Sequence, residues 1–261
     1  MVRRVGSPTV STNVALAVHS WGPGPPRVLL LHGLSSAAPA WELVGETLAA
    51  FGYSSLAPDL RGHGSSPEGG SYRIEDYTTD VLRACPGPWE LVVGHSLGGA
   101  IAVWAADEDP EFANRLLLID PAIEVEAEVA FGIRDQVVIE ASNPPSAEAL
   151  LEAHPGWQLE DAVRKREALR ATSPEVLAAT IEDTQPWAWG ARLVGVPIPV
   201  HILGADPNME PLFLEATFHA LSPYKPDLTF TVVPGTGHSI YRDDPGSVIS
   251  VILELLDAPR G

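Results

Sequence analysis

The stretch that decides the fold is Glu90-Leu91-Val92-Val93-Gly94-His95-Ser96-Leu97-Gly98-Gly99-Ala100. Glu90–Val93, apolar from Leu91 on, reads as a strand, and the small residues of Ala100–Ala106 continue as a helix that can pack close to a sheet. Between them Gly94–Gly98 fits G-x-S-x-G. Glycines two residues either side of the serine allow a sharp strand-to-helix turn, which lifts the hydroxyl above the sheet end. The pattern alone is short enough to arise by chance. Its place between a strand and a helix is what makes Ser96 a candidate nucleophile.

Outward from this turn, short apolar runs alternate with helical spacing. Val28–Leu31, Tyr53–Ala57, Leu116–Ile119, Val200–Leu203 and Leu228–Val233 read as further strands. Trp41–Phe51, Ile74–Ala84 and Ser247–Leu256 read as helices. Such alternation builds βαβ units and a mostly parallel sheet. It stops between Ala122 and Val196, where charged helical segments such as Leu159–Ala171 are broken by Pro144, Pro145, Pro155, Pro174 and Pro186. About 75 residues are too many for a loop. They read as a helical cap over the sheet end where ligands bind, giving a core of 1–121 and 197–261 and a cap of 122–196.

A serine hydroxyl needs a base within hydrogen-bond reach. Of eight histidines, His238 stands in Gly235-Thr236-Gly237-His238, after a strand and before the last helix. His32-Gly33 also follows a strand, and Asp59-Leu60-Arg61-Gly62-His63-Gly64 forms a Gly-rich loop that Asp59 and Arg61 are expected to tie down by charge-assisted hydrogen bonds.

From LLLHG at Leu29–Gly33, through GHSLGGA at Gly94–Ala100, to GTGH at Gly235–His238, the chain resembles the α/β-hydrolase superfamily, on its serine esterase and lactonase branch. That resemblance implies an α/β-hydrolase fold with a helical cap inserted after the sixth strand. It implies an oxyanion hole from the backbone amides of Leu34 and Leu97, and a triad in the chain order Ser96, acid, His238. His32 is expected to be structural. For the acid, most relatives carry it where Asp206 stands, and some, lactonases among them, where Asp120 stands. Asp206 is favoured, with Asp120 the alternative.

The chain has 34 acidic and 16 basic residues, a formal net charge of −18, which disfavours nucleic acid and anionic lipid as partners. A single cysteine, Cys85, excludes an intrachain disulfide. Met1–Val10 lacks the apolar run of a secretory leader and no stretch is long enough to span a membrane, so a cytoplasmic protein is expected. No metal or cofactor motif is present, and the oligomeric state is left open. Gly33 and His95 beside the catalytic turn, with Phe131, Trp157, Trp187 and Trp189 of the cap, are expected to form the pocket. The expected reaction is hydrolysis of a small or medium apolar ester or lactone through an acyl-enzyme. Carbon–carbon bond hydrolysis, perhydrolysis and non-catalytic ligand binding on the same fold are the alternatives.

Overall fold

A computed structural model describes residues 13–258, so the reading of Met1–Val10 lies outside the described residues. The strands are β1 (Val18–Trp21), β2 (Val28–Leu31), β3 (Ser55–Pro58), β4 (Leu91–His95), β5 (Leu116–Ile119), β6 (Glu124–Val125), β7 (Trp187–Ala188), β8 (Val200–Gly204) and β9 (Leu228–Val232). The helices are α1 (Glu42–Ala50), α2 (Ile74–Ala84), α3 (Leu97–Glu108), α4 (Ala127–Ser142), α5 (Ala147–Ala153), α6 (Leu159–Ala171), α7 (Pro174–Asp183), α8 (Gly190–Gly195), α9 (Glu215–Leu221), α10 (Ile240–Asp243) and α11 (Pro245–Asp257).

Seven strands form one sheet in the order β1-β3-β2-β4-β5-β8-β9. Every pairing is parallel except β1 with β3. All four residues of β2 are buried, as are all of β4 and β5, because helices cover both faces. Alternation along a strand divides its side chains between two cores. Leu29, Leu31 and Val92 join Tyr77 and Val81 of α2 and Ile101 and Val103 of α3. Val28, Leu30, Leu91 and Val93 join Trp41, Val44 and Leu48 on one side of α1, and Val248 and Ile252 of α11. The half-exposed β1 has no such apolar signature, which is why its sequence did not read as a strand.

Between β5 and β8 the chain leaves the sheet. The resemblance implied an insertion after a sixth strand; among the described residues it follows the fifth, β5. Helices α4–α7 carry this segment, and a two-residue antiparallel ladder of β6 with β7 closes its base, Val125 opposite Trp187. By α8 the chain is back against the core, where the Arg192 guanidinium stacks 3.5 Å from the Trp104 ring centre on α3. Side chains from the insert reach the carboxyl rim of the sheet. The Tyr72 amide, just before α2, donates to Asp183 at the end of α7, and Tyr77 pairs with Thr180 through their hydroxyls. The Trp157 indole donates to Asp243 at 2.8 Å. Among the described residues, no helix is long and apolar enough to cross a membrane.

Candidate active site

Ser96 lies at the β4–α3 turn with φ 52° and ψ −115°, a conformation that non-glycine residues seldom adopt and that persists at functional turns when its surroundings hold it. Those surroundings are visible. Its amide donates to the Ile119 carbonyl at 3.0 Å, and its own carbonyl accepts from the amides of Gly99, Ala100 and Ala122. The turn is therefore clamped to the segment that follows β5. A Cβ on Gly98 would lie 2.3 Å from the Leu31 carbonyl oxygen, and one on Gly94 would lie 2.4 Å from that of Gly98. Only glycine permits this crossing of backbones.

His238 Nδ1 lies 2.6 Å from Oδ2 of Asp120. Asp120 is completely buried, and the amides of Leu212 and Phe213 donate to its two oxygens at 2.9 Å each. Three donors, the His238 ring and the two amides, converge on this one carboxylate and hold it in place. Asp120 itself has φ 39°.

This arrangement corrects the expectation for Asp206. Its carboxylate sits near the surface, where Oδ1 accepts from the Asn208 amide and side chain and Oδ2 accepts from the Gly235 amide. The backbone bond to Asn208 and then that to Gly235 hold its carboxyl below the usual range. Asp206 therefore caps a short turn and pins the loop before His238, while the side chain that meets the imidazole is Asp120.

His32 makes the structural hydrogen bonds expected of it. Its Nδ1 donates to the Gly33 carbonyl at 2.8 Å and its Nε2 accepts from the Leu60 amide at 3.0 Å. In a trans peptide the carbonyl and the next N–H point oppositely, so fixing the Gly33 carbonyl fixes the direction of the Leu34 amide. Among the described residues, neither the Leu34 nor the Leu97 amide is bonded to an acceptor. Gly33 packs directly on this centre: a Cβ there would lie 2.7 Å from His95 Nδ1 and 3.1 Å from Ser96 Cβ.

His95 donates through Nε2 to the His238 carbonyl at 2.9 Å, and the two rings lie 4.7 Å apart. It is a brace rather than an open pocket residue. Burial, then the charges of His238, Arg242 and Lys165, push it well below the ordinary imidazole value. Asp59 and Arg61 do tie down their loop. Asp59 accepts from the amides of Ala38 and Ser65, and fully buried Arg61 pairs with Asp80 at 2.7 Å.

The expected aromatic lining is not what the structure presents. Trp187 and Trp189 pack on each other, with Trp189 edge-on to Trp104, and both belong to the main core. Trp157 is sandwiched by His154 and the Arg242 guanidinium. All three are less than 10% exposed. Phe131 is open to solvent with Arg134 over its ring. Apolar side chains in a small insert bury themselves first, leaving little for a ligand. A cleft of about 320 Å³ opens along Phe213, Leu214, Phe230 and Val232, but neither Ser96 nor His238 lines it.

Two cations went unnoticed in the sequence. Lys165 of α6 reaches across to donate to the carbonyl and hydroxyl of Ser35 at 3.1 and 2.7 Å, directly beside Leu34. Arg242 of α10 donates to Ser36 Oγ at 3.2 Å and lies between Tyr241 and Trp157. Lys165 sits in the run Arg164-Lys165-Arg166-Glu167, which reads as a solvated face. Helical spacing gives a signal all the same: Lys165 falls three residues after Ala162 and four before Leu169, on the stripe that these buried residues define. Among the described residues, no cluster of three or more histidine, cysteine or carboxylate side chains is arranged to hold a metal ion.

The sheet order, the turn carrying Ser96 and the histidine–carboxylate pair together define a class. Residues 28–251 match the model of the alpha/beta hydrolase family, and the chain belongs to that family. A 2-(acetamidomethylene)succinate hydrolase of Mesorhizobium japonicum is 29% identical over 94% of this chain and 92% of its own length. A crystal structure of an E-2-(acetamidomethylene)succinate hydrolase superposes with a TM-score of 0.81 at 25% identity, covering 95% of this chain and 98% of the other. Lipase LipV of Mycobacterium tuberculosis is 34% identical over 55% of this chain and 56% of its own. The protein is thus a hydrolase by family, with relatives that differ in substrate.

Proposed function

We propose that this hydrolase cleaves a small carboxylic ester or lactone through a covalent acyl-enzyme, with Ser96 as nucleophile, His238 as base and Asp120 as the orienting carboxylate. The observation that carries the reading is the 2.6 Å contact between His238 Nδ1 and fully buried Asp120, on a loop clamped to the Ser96 turn. With its Nδ1 proton given to Asp120, His238 keeps the Nε2 lone pair to accept the Ser96 hydroxyl proton. The serine oxygen bonds to the substrate carbonyl carbon, and the carbonyl oxygen takes the negative charge. The Leu34 and Leu97 amides receive that charge; one such donor is worth about 3–4 kcal/mol of barrier. The carbon–oxygen bond to the leaving alkoxide then breaks as His238 returns the proton. Water, deprotonated by the same imidazole, releases the acid and restores Ser96.

Helices α4–α7 serve as a cap over this centre. The substrate is not required to be apolar, because Trp157, Trp187 and Trp189 are engaged in packing. The full-length relative acts on a succinate derivative, which supports a small acid-bearing molecule over a peptide or polymer.

A neutral fluorophosphonate should label the wild-type protein and not Ser96→Ala, and a panel of graded esters and lactones should release acid. Turnover by Ser96→Ala above roughly a thousandth of the parent rate would refute the nucleophile, since a triad serine is worth about a millionfold. A protein that labels yet turns over none of the panel would instead be a ligand-binding member of the fold.

A further inference from the structure

Buried charge is costly unless it is paired, so its placement calls for a reason. Lys165 and Arg242 come from opposite sides, one from α6 and one from α10, and converge on consecutive residues, Ser35 and Ser36, of the loop that carries Leu34. Their counter-charges are poor. The nearest carboxylate to Lys165 is Glu140 at 3.9 Å, beyond hydrogen-bond distance. Arg242 is 3% exposed, and among the described residues no carboxylate lies within ion-pair range of it. Its Nε is buried with no partner. Asp243, its neighbour, is taken by the Trp157 indole and the Gly237 amide, and Asp161 by the Gln158 amide. Two like charges are thus held near each other beside the reacting centre, in a chain whose net charge is −18. Glu140 on α4, with Asp161 on α6 and Asp243 on α10, supplies the remaining compensation, none of it through a hydrogen bond to either cation.

We propose that Lys165, backed by the field of Arg242, receives a carboxylate carried by the substrate, so that the preferred ester or lactone is that of an acid with a second, free carboxylate. The inference rests on the serine-hydrolase reading above. Two of the three ammonium hydrogens of Lys165 are engaged by Ser35, which leaves one for the ligand. A carboxylate there supplies the hydrogen-bonded counter-charge that Glu140, at 3.9 Å, does not, and the same contact would anchor the acyl group next to Leu34 and Ser96. A neutral ester would supply no such counter-charge.

The test compares 4-nitrophenyl hemisuccinate with 4-nitrophenyl butyrate, which differ in the terminal carboxylate. One charge-assisted hydrogen bond from a buried cation corresponds to about 10- to 100-fold, so wild-type kcat/KM should favour the hemisuccinate by that factor. In Lys165→Met the ratio should fall toward one, and in Lys165→Arg most of it should return. Labelling by the neutral fluorophosphonate reports whether each variant still presents a competent Ser96. If Lys165 were only a strut for the oxyanion loop, Lys165→Met would slow both esters equally and the ratio would stand, which overturns the proposal. So does a wild-type ratio at or below one with labelling intact, and the hydrolase reading then survives. Absence of both labelling and turnover overturns the hydrolase reading itself, and the proposal with it. For a variant too unstable to assay, succinate binding to Ser96→Ala by calorimetry decides independently: measurable heat is expected, and none at millimolar succinate refutes the carboxylate site.

Discussion

Replacing Asp120 by asparagine removes one oxygen from a site built for two. Oδ2 meets both His238 Nδ1 and the Leu212 amide, and Oδ1 meets the Phe213 amide. An asparagine has one oxygen and one NH2, so one orientation faces the NH2 toward Phe213 N–H and the other toward Leu212 N–H and the imidazole. The first leaves a buried donor without an acceptor, at about 1–3 kcal/mol. The second also forces His238 into the tautomer that places its proton on Nε2, facing Ser96, where it cannot act as base. In either case the negative charge that stabilises the imidazolium is gone. The same exchange in a serine-protease triad costs around ten-thousandfold in turnover, and a loss of that order is expected here. Asp206→Asn keeps one oxygen, which serves either the Asn208 groups or the Gly235 amide, and at this exposed site water replaces the bond that is lost. A lost bond of that kind is worth at most about tenfold. Initial rates on the best 4-nitrophenyl ester, with fluorophosphonate labelling rates alongside, measure both. Asp120→Asn retaining a tenth of parental kcat/KM, or Asp206→Asn losing more than it, would refute the assignment.

Two further outcomes follow from the same geometry. Ser96→Gly should be inactive yet more stable than Ser96→Ala by about 1 kcal/mol, because glycine relieves the positive φ and alanine keeps the Cβ; a urea midpoint for Ser96→Gly below that of Ser96→Ala would show that the turn stores no strain. Burial, then repulsion from Arg242, lowers Lys165 to about 8, so the hemisuccinate-to-butyrate ratio should fall between pH 7 and pH 9 as the ammonium loses its proton; taking the ratio cancels the titration of groups common to both esters, and a flat ratio would refute the role. Between about 8 and the ordinary lysine value the unfolded chain holds this proton and the folded one does not, so Lys165's contribution to stability rises with pH there.

The candidate nucleophile and candidate base were legible because their signals are local. Glycines flanking Ser96 between a strand and a helix dictate one backbone turn, and no distant contact is needed to recognise it. The strands β2, β4 and β5 were legible for a similar reason: buried on both faces, they carry unbroken apolar runs, Val28–Leu31, Leu91–Val93 and Leu116–Ile119. Strand β1 and the β6–β7 ladder were not, since they are short and partly exposed. The acid lay beyond the sequence for a geometric reason. β5 and β8 are parallel neighbours with Ile119 opposite Leu203, so Asp120 and Asp206 emerge on the same rim of the sheet, on adjacent strands about 4.8 Å apart. Both satisfy the chain order. What separates them is tertiary: the Leu212–Phe213 amides close over Asp120, while Asp206 turns to Asn208 and Gly235. Lys165 and Arg242 follow the same logic. Helical spacing puts Lys165 on the Ala162–Leu169 stripe of α6, and the docking of α6 onto the Ser35 loop decides what its ammonium meets. Sequence determined the elements and the turn, because those depend on neighbours along the chain. Tertiary structure decided which carboxylate meets His238 and which cations meet Ser35 and Ser36, because that depends on which loops close over the sheet.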